Sequence, residues 1–185
     1  MKADTFTVVF RGAFMPESGI ENVIDAAKIL EKEKIRFIIL GGGIFLEKIK
    51  KLVEDARLPN LELITEFLPY EKIREIMQKC HISLGQISDH ERLTRTIPHK
   101  AYESLAMRLP YLTAANIGIL ELLTPDKTCL TCNTADANSL VDKILWARNN
   151  YSSVEEVAKN GYELYQKELR PSILAQKLLD KIIKL

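Results

Sequence analysis

The chain has 185 residues, is 46% hydrophobic and 28% charged, and carries a formal net charge of +1. That length and composition give one well-cored globular domain, or one domain with an appendage, and the near-balance of charge excludes a general nucleic-acid binder, whose footprint is a basic excess. No apolar run reaches the length of a membrane span and the Met1-Lys2-Ala3-Asp4 start has no hydrophobic signal segment, so the cytoplasm is the expected compartment.

Thr5 to Arg11 (TFTVVFR) is β-branched and aromatic up to Gly12, which predicts a buried strand. Gly12 to Gly19 reads as a turn-rich loop. Ile20, Val23, Ile24, Ala27, Ile29 and Leu30 then give the stripe of a helix over Ile20 to Lys32. Ile35 to Leu40 (IRFIIL) predicts a second buried strand running straight into Gly41, Gly42 and Gly43. Leu46, Ile49, Leu52 and Val53 mark one face of a helix over about Ile44 to Ala56. A short third strand is expected at Asn60 to Ile64, and a helix at Tyr70 to Cys80 with Ile73, Ile76 and Met77 inward. His81 to Ile87 reads as a fourth strand and Ser88 to Thr94 as a polar loop.

Pro98 is expected in the first turn of the next helix, where its missing N–H costs nothing and its fixed φ helps. Ala101, Leu105 and Ala106 give that helix its inward stripe, and Leu109 to Thr113 reads as the strand after it. A short helix at Ile117 to Leu123, a last strand at Thr128 to Thr131 and an amphipathic helix at Ala137 to Arg148 follow. Val154 to Leu169 and Pro171 to Leu185 complete the chain as two further helices. No internal boundary is visible before about Asn149, which divides the chain into a core over about residues 1–150 and C-terminal helices over 151–185.

Apolar strands alternating with helices predict an α/β fold, a doubly wound, Rossmann-like parallel sheet of about six strands with helices on both faces. Ligands on such sheets bind beyond the carboxyl ends of the strands. That rule selects Gly12–Gly19, Gly41–Gly43, Glu66–Pro69, Gln86–Thr94 and the helix start near Arg95 as one rim. At that helix start, Arg95 and Lys100 lie beside unpaired backbone N–H groups, a setting suited to phosphate. Glu103, one turn further in, is placed to accept hydrogen bonds from two vicinal hydroxyls, as on a ribose. The plain alternative is a solvated helix face on which Lys100 and Glu103 form a weak i,i+3 pair.

Other motifs carry less. Gly12 to Gly19 has no Lys-Ser/Thr after its second glycine, and Gly41–Gly43 lacks GxGxxG spacing, so ATP hydrolysis and NAD binding are not expected. Cys129 and Cys132 form a single CxxC with no second pair and no histidine at ligand spacing, and read as small buried residues, with no metal site expected.

Taken together, several blocks resemble the donor-binding C-terminal domain of family 4 glycosyltransferases, which have the GT-B fold. They are Phe10 to Ile20 (FRGAFMPESGI), Phe37 to Gly43 (FIILGGG), Asn60 with Phe67-Leu68-Pro69, His81 to Gly85, Ile97 to Pro110 (IPHKAYESLAMRLP) and Glu121-Leu122-Leu123. The resemblance runs from about Val8 to Arg148. It implies a retaining hexosyltransferase that uses a UDP- or GDP-linked sugar, with no cofactor or metal, to extend a glycan, lipid or similar acceptor, including one held at a membrane. The full-length protein would then lie in the cytoplasm or peripherally at the inner membrane surface. By the same resemblance Gly12, Ala13 and Phe14 approach the diphosphate, Arg95 and Lys100 neutralise it with Arg11 as a second candidate, and Glu103 binds ribose. Ser104 and Leu105 are expected near the diphosphate, and Glu66, Phe67 and Leu68 around the base.

This sequence departs from the family pattern at Ala13 and Ser18, where an arginine and a lysine are usual, and at Arg95, where a glutamate is usual. His99 stands where a related subgroup has asparagine. A GT-B enzyme also has an N-terminal, acceptor-binding domain, expected from the rest of a longer chain or from a partner. Alone, this domain is expected to bind the nucleotide sugar and transfer little or none of it. The apolar side of its last helix (Ile173, Leu174, Leu178, Ile182) would pack on the core, on that N-terminal domain or on a second copy. The competing readings are a non-catalytic interaction module with a degenerate nucleotide site, and half of an enzyme of the UDP-sugar epimerase type.

Overall fold

The computed structural model describes residues 2–183. The strands are β1 (Phe6–Ala13), β2 (Ile35–Gly42), β3 (Leu61–Ile64), β4 (Ile82–Leu84), β5 (Tyr111–Ala114) and β6 (Leu130–Cys132). They form one sheet in the order β3-β2-β1-β4-β5-β6, every pairing parallel. The chain starts in the middle, builds outward to β3, then returns to the other side of β1. The connections therefore diverge between β1 and β4, leaving a crevice at the carboxyl ends of those strands.

The helices are α1 (Ile20–Ile29), α2 (Leu46–Ala56), α3 (Tyr70–Lys79), α4 (His99–Ala106), α5 (Ile117–Leu120), α6 (Ala137–Asn149), α7 (Tyr151–Leu164) and α8 (Pro171–Ile182). Alternate strand residues feed opposite faces, as the period of two requires. Val8, Phe10, Phe37, Ile39, Leu84 and Leu112 pack under α1 and α6 in the larger core, joined by Val154 and Val157 of α7. On the other face Val9, Ile38 and Leu40 meet Met77 of α3, and Tyr111 meets Ala101 and Leu105 of α4. Each fully buried Val, Leu, Ile, Phe or Met side chain among these contributes about 1.5–3 kcal/mol of transfer free energy.

Both glycine-terminated strands run two residues past the predicted ends, because Gly12–Ala13 and Gly41–Gly42 continue the β1–β2 ladder. β4 is shorter than expected: Gly85 and Gln86 still bond Leu112 and Ala114 of β5 outside the regular ladder, and Ile87 turns away to donate to Ser18 O. α1 stops at Ile29, its last bonds tightening over Leu30 and Glu31 before Lys34 adopts φ 52°. Part of the expected loop after β4 is a 3-10 turn at Glu91–Thr94, and Leu164 leads into a π-turn at Tyr165–Leu169. Pro98 is the N-cap of α4 in an extended conformation (ψ 140°), one position before the expected first turn.

α7 starts three residues earlier than expected and is built into the core through Val154, Val157, Ala158 and Gly161. α8 buries no side chain, so packing of its apolar side on the core is not what the structure has: Leu174, Leu178 and Ile182 are exposed. Lys184 and Leu185, the end of the expected last helix, lie outside the described residues. No helix among those residues is long and apolar enough to cross a membrane.

Candidate functional site

The rim formed by the carboxyl ends of β1, β2 and β3 encloses an open groove of about 510 Å³ lined by Arg11, Gly12, Ala13, Gly41, Gly42, Glu66, Phe67 and Leu68, among others. Residues far apart in sequence thus meet here. Phe67 is 97% exposed, a bare aromatic ring on the lip of the groove. A solvent-facing phenyl ring gains nothing from the core and offers a flat apolar surface for stacking.

Lys100 lies at the adjoining corner, where α4 begins beside the β1–β4 crevice. It is 7% exposed, its Nζ is 3.2 Å from Gln86 Oε1, and it sits 3.6 Å from the centroid of the Phe10 ring. Gly12, with φ 151°, makes room for it: a Cβ there would stand 3.0 Å from both Cε and Nζ of Lys100. The nearby carboxylates Glu103 and Glu17 are taken by Arg11 and Arg92. Burial, with Arg11 adding repulsion, brings the Lys100 ammonium down from 10.5 to about 7, against opposing pulls from Glu103 and Glu17. A buried amine without an anionic partner is costly unless a ligand supplies one. Beside it, the His99 and Lys100 N–H groups have no hydrogen-bond acceptor among the described residues, as befits a helix start.

Glu103 accepts from Arg11 Nη1 through Oε2, both side chains being only partly exposed. The anticipated solvated Lys100–Glu103 pair is absent: Lys100 is buried over Phe10, and Glu103 turns to β1. On the far side of Glu103 lies a second, more apolar groove of about 390 Å³, lined in part by Tyr70, His99, Tyr102, Tyr165 and Leu174. Nothing in the sequence marked this groove, since its tyrosines come from three separate helical segments.

Other expected contacts are not brought together. Phe14 is fully buried, its N–H bonded to Gly42 O at 2.8 Å and its carbonyl to Phe45 N–H at 3.0 Å, so no polar group of it remains for a ligand. Ser104 is buried with its Oγ bonded to Lys100 O at 2.7 Å and to Ser83 Oγ at 2.9 Å, and Leu105 packs against Tyr111. Both sit beyond the first turn of α4, where N–H groups are spent within the helix. Ser18 faces inward and donates to Ala13 O at 2.7 Å, tying the loop rather than facing the groove. Arg95 is exposed and its side chain has no hydrogen bond or ion pair among the described residues. Cys129 and Cys132 are free and buried, their thiols pushed up to about 12 by burial.

Residues 2–164 match the family described as Glycosyl transferases group 1. The chain belongs to that family. Among curated relatives of this glycosyltransferase domain, the uncharacterized glycosyltransferase MJ1178 of Methanocaldococcus jannaschii is 27% identical over 159 residues, covering 86% of this chain and 43% of that protein. The putative colanic acid biosynthesis glycosyltransferase WcaL of Escherichia coli is 20% identical, covering 88% of this chain and 41% of the relative. The chain therefore spans less than half the length of these relatives. Among solved structures, sucrose-phosphate synthase of Thermosynechococcus elongatus superposes with a TM-score of 0.84 at 20% identity over 100% of this chain and 46% of that one. Anabaena HepE in complex with UDP-glucose gives 0.83 at 15% identity over 99% and 50%. The likeness to these structures establishes the shared GT-B-type fold of a glycosyltransferase group 1 domain.

Proposed function

We propose that this domain is the donor half of a retaining, metal-independent hexosyltransferase of family 4 type and holds the nucleoside diphosphate of a UDP- or GDP-sugar on the β1–α4 rim. The observation that carries this reading is Lys100, a buried amine with no carboxylate partner, aimed at the backbone of Gly12 beside the open N–H groups of His99 and Lys100. A diphosphate seated there supplies the missing counter-charge, in a low-dielectric corner where charge-assisted bonds are strong. Glu103 then faces the ribose hydroxyls, and Phe67, Glu66 and Leu68 surround the base. HepE, caught with UDP-glucose, supports uridine as the first base to try.

In the transfer step the sugar–phosphate bond breaks and charge grows on the departing diphosphate. Lys100 and the start of α4 are preorganised for that charge, with Arg95 as an exposed reserve cation. The acceptor, a glycan, lipid or similar group, enters against the N-terminal domain of the complete enzyme, and α8 offers its apolar side to the rest of that protein. The likeness to WcaL, a putative colanic acid biosynthesis glycosyltransferase, supports a glycan acceptor.

Calorimetric titration of the chain with UDP, GDP and their common sugar conjugates, without metal, tests the reading. Saturable binding of one nucleotide that Glu103→Ala weakens at least tenfold supports it. Silence from all of them, with the protein folded and the full-length enzyme equally silent, contradicts it.

A further inference from the structure

Phe10 and Arg11 are neighbours on β1 and point to opposite faces of the sheet. Phe10 lies under Lys100, whereas Arg11 reaches Glu103. Arg11 lines the groove that holds Gly12, Glu66 and Phe67, and Glu103 lines the adjoining groove with His99 and Tyr102. The ion pair is thus the partition between two cavities. Only one carboxylate oxygen, Oε2, is taken, while Oε1 has no donor among the described residues.

We propose that Arg11 is a positioning residue that fixes Glu103 with Oε1 open, so that the pair reads the 2′,3′-diol of the donor and selects ribonucleotides over 2′-deoxyribonucleotides. This rests on the reading of Glu103 as the ribose-binding group. A free glutamate on a helix surface samples several rotamers and loses them when it binds. An arginine holding one of its oxygens removes that cost beforehand, and the two remaining acceptor directions face a pair of hydroxyls. A site built around a hydroxyl also rejects the analogue lacking it, because a polar group is left unpaired. Without Arg11 the carboxylate is not directed, and discrimination falls even where the diphosphate still binds at Lys100.

The test compares the affinity of UDP with 2′-deoxy-UDP, and of GDP with 2′-deoxy-GDP, for the wild-type chain, Arg11→Met, Arg11→Lys and Glu103→Gln, each checked for an unchanged circular dichroism spectrum. The wild-type chain prefers the ribonucleotide about tenfold or more. Arg11→Met cuts that preference below about threefold with little change for the deoxynucleotide, and Arg11→Lys restores part of it. An Arg11→Met protein that keeps the full preference, where Glu103→Gln loses it, overturns the role of Arg11 and leaves Glu103 standing. Equal weakening of both nucleotides by Arg11→Met overturns it as well, because Arg11 then serves the diphosphate. A Glu103→Gln protein with undiminished preference overturns the ribose reading itself, and with it the inference.

Discussion

The ammonium of Lys100 rests 3.6 Å from the centre of the Phe10 ring, and Gln86 Oε1, at 3.2 Å, is its one hydrogen-bond partner among the described residues. Substitution by methionine keeps the packing and removes the charge. Lys100→Met should lower nucleoside diphosphate affinity roughly 10- to 100-fold, the worth of one charged hydrogen bond. Lys100→Arg should not restore it, since the planar fork has no room between Phe10 and Gly12. Calorimetry on the three proteins checks both.

The same residue sets a pH dependence of stability. Its folded pKa of about 7 lies below the ordinary lysine value of 10.5, so between those values the unfolded chain holds a proton that the folded chain does not. Stability from this group therefore rises with pH across that window, by up to about 1.4 kcal/mol per pH unit. Cys80, Cys129 and Cys132, raised from 9.0 to about 12, act in the opposite direction above about pH 9. Denaturant unfolding at pH 7, 8 and 9 should show a rising wild-type stability that flattens in Lys100→Met.

Gly85 follows β4 and lies under two buried side chains. A Cβ there would stand 2.4 Å from Thr113 Oγ1 and 2.4 Å from the Tyr111 hydroxyl. Gly85→Ala should cost about 1–3 kcal/mol through overpacking, read as a lower urea midpoint with unchanged m-value.

The cysteine pair should be unreactive in the folded protein. The thiolate is the reactive form, and burial holds Cys129 and Cys132 protonated. Iodoacetamide at pH 8 should modify neither within the time that fully labels the urea-unfolded chain, with mass spectrometry as the readout.

α8 is peripheral to the stability of this domain. It buries no residue, and its Lys177–Glu168 contact is on the surface. A chain ending at Arg170 should melt within a few degrees of the full one, corresponding to less than about 1 kcal/mol.

The sheet was legible because each strand is a short apolar run closed by a turn signal, and the order of segments fixes a doubly wound topology. Gly12, Glu66, Phe67 and Leu68 could be gathered onto one rim by the rule that ligands bind at strand carboxyl ends, and the groove does unite them. Strand ends were missed where backbone pairing, not side-chain pattern, decides them: Gly41 and Gly42 carry no hydrophobic signal yet pair with Gly12 and Ala13. Leu105 already belongs to the inward stripe that spacing gives α4, whereas the inward turn of Ser104 follows from where α4 lies on the sheet. In the sequence Arg11 stands only as a second candidate for the diphosphate. Its bond to Glu103 spans 92 residues and depends on the crevice between β1 and β4. The groove beside Tyr102 is likewise a product of how α3, α4 and the π-turn converge.

If Lys100 receives the donor's diphosphate, binding carries proton uptake with it. At pH 8 the terminal phosphate of a free nucleotide is already ionised, and Lys100, with a pKa of about 7, is mostly neutral. A bound diphosphate favours the ammonium form and raises that pKa, so the protein takes a proton from the buffer. Titration of the chain with UDP in two buffers of different ionisation enthalpy should show uptake approaching one proton per nucleotide, abolished in Lys100→Met. Binding with no proton uptake, at equal affinity in wild-type and Lys100→Met proteins, would mean that Lys100 is not the diphosphate's partner.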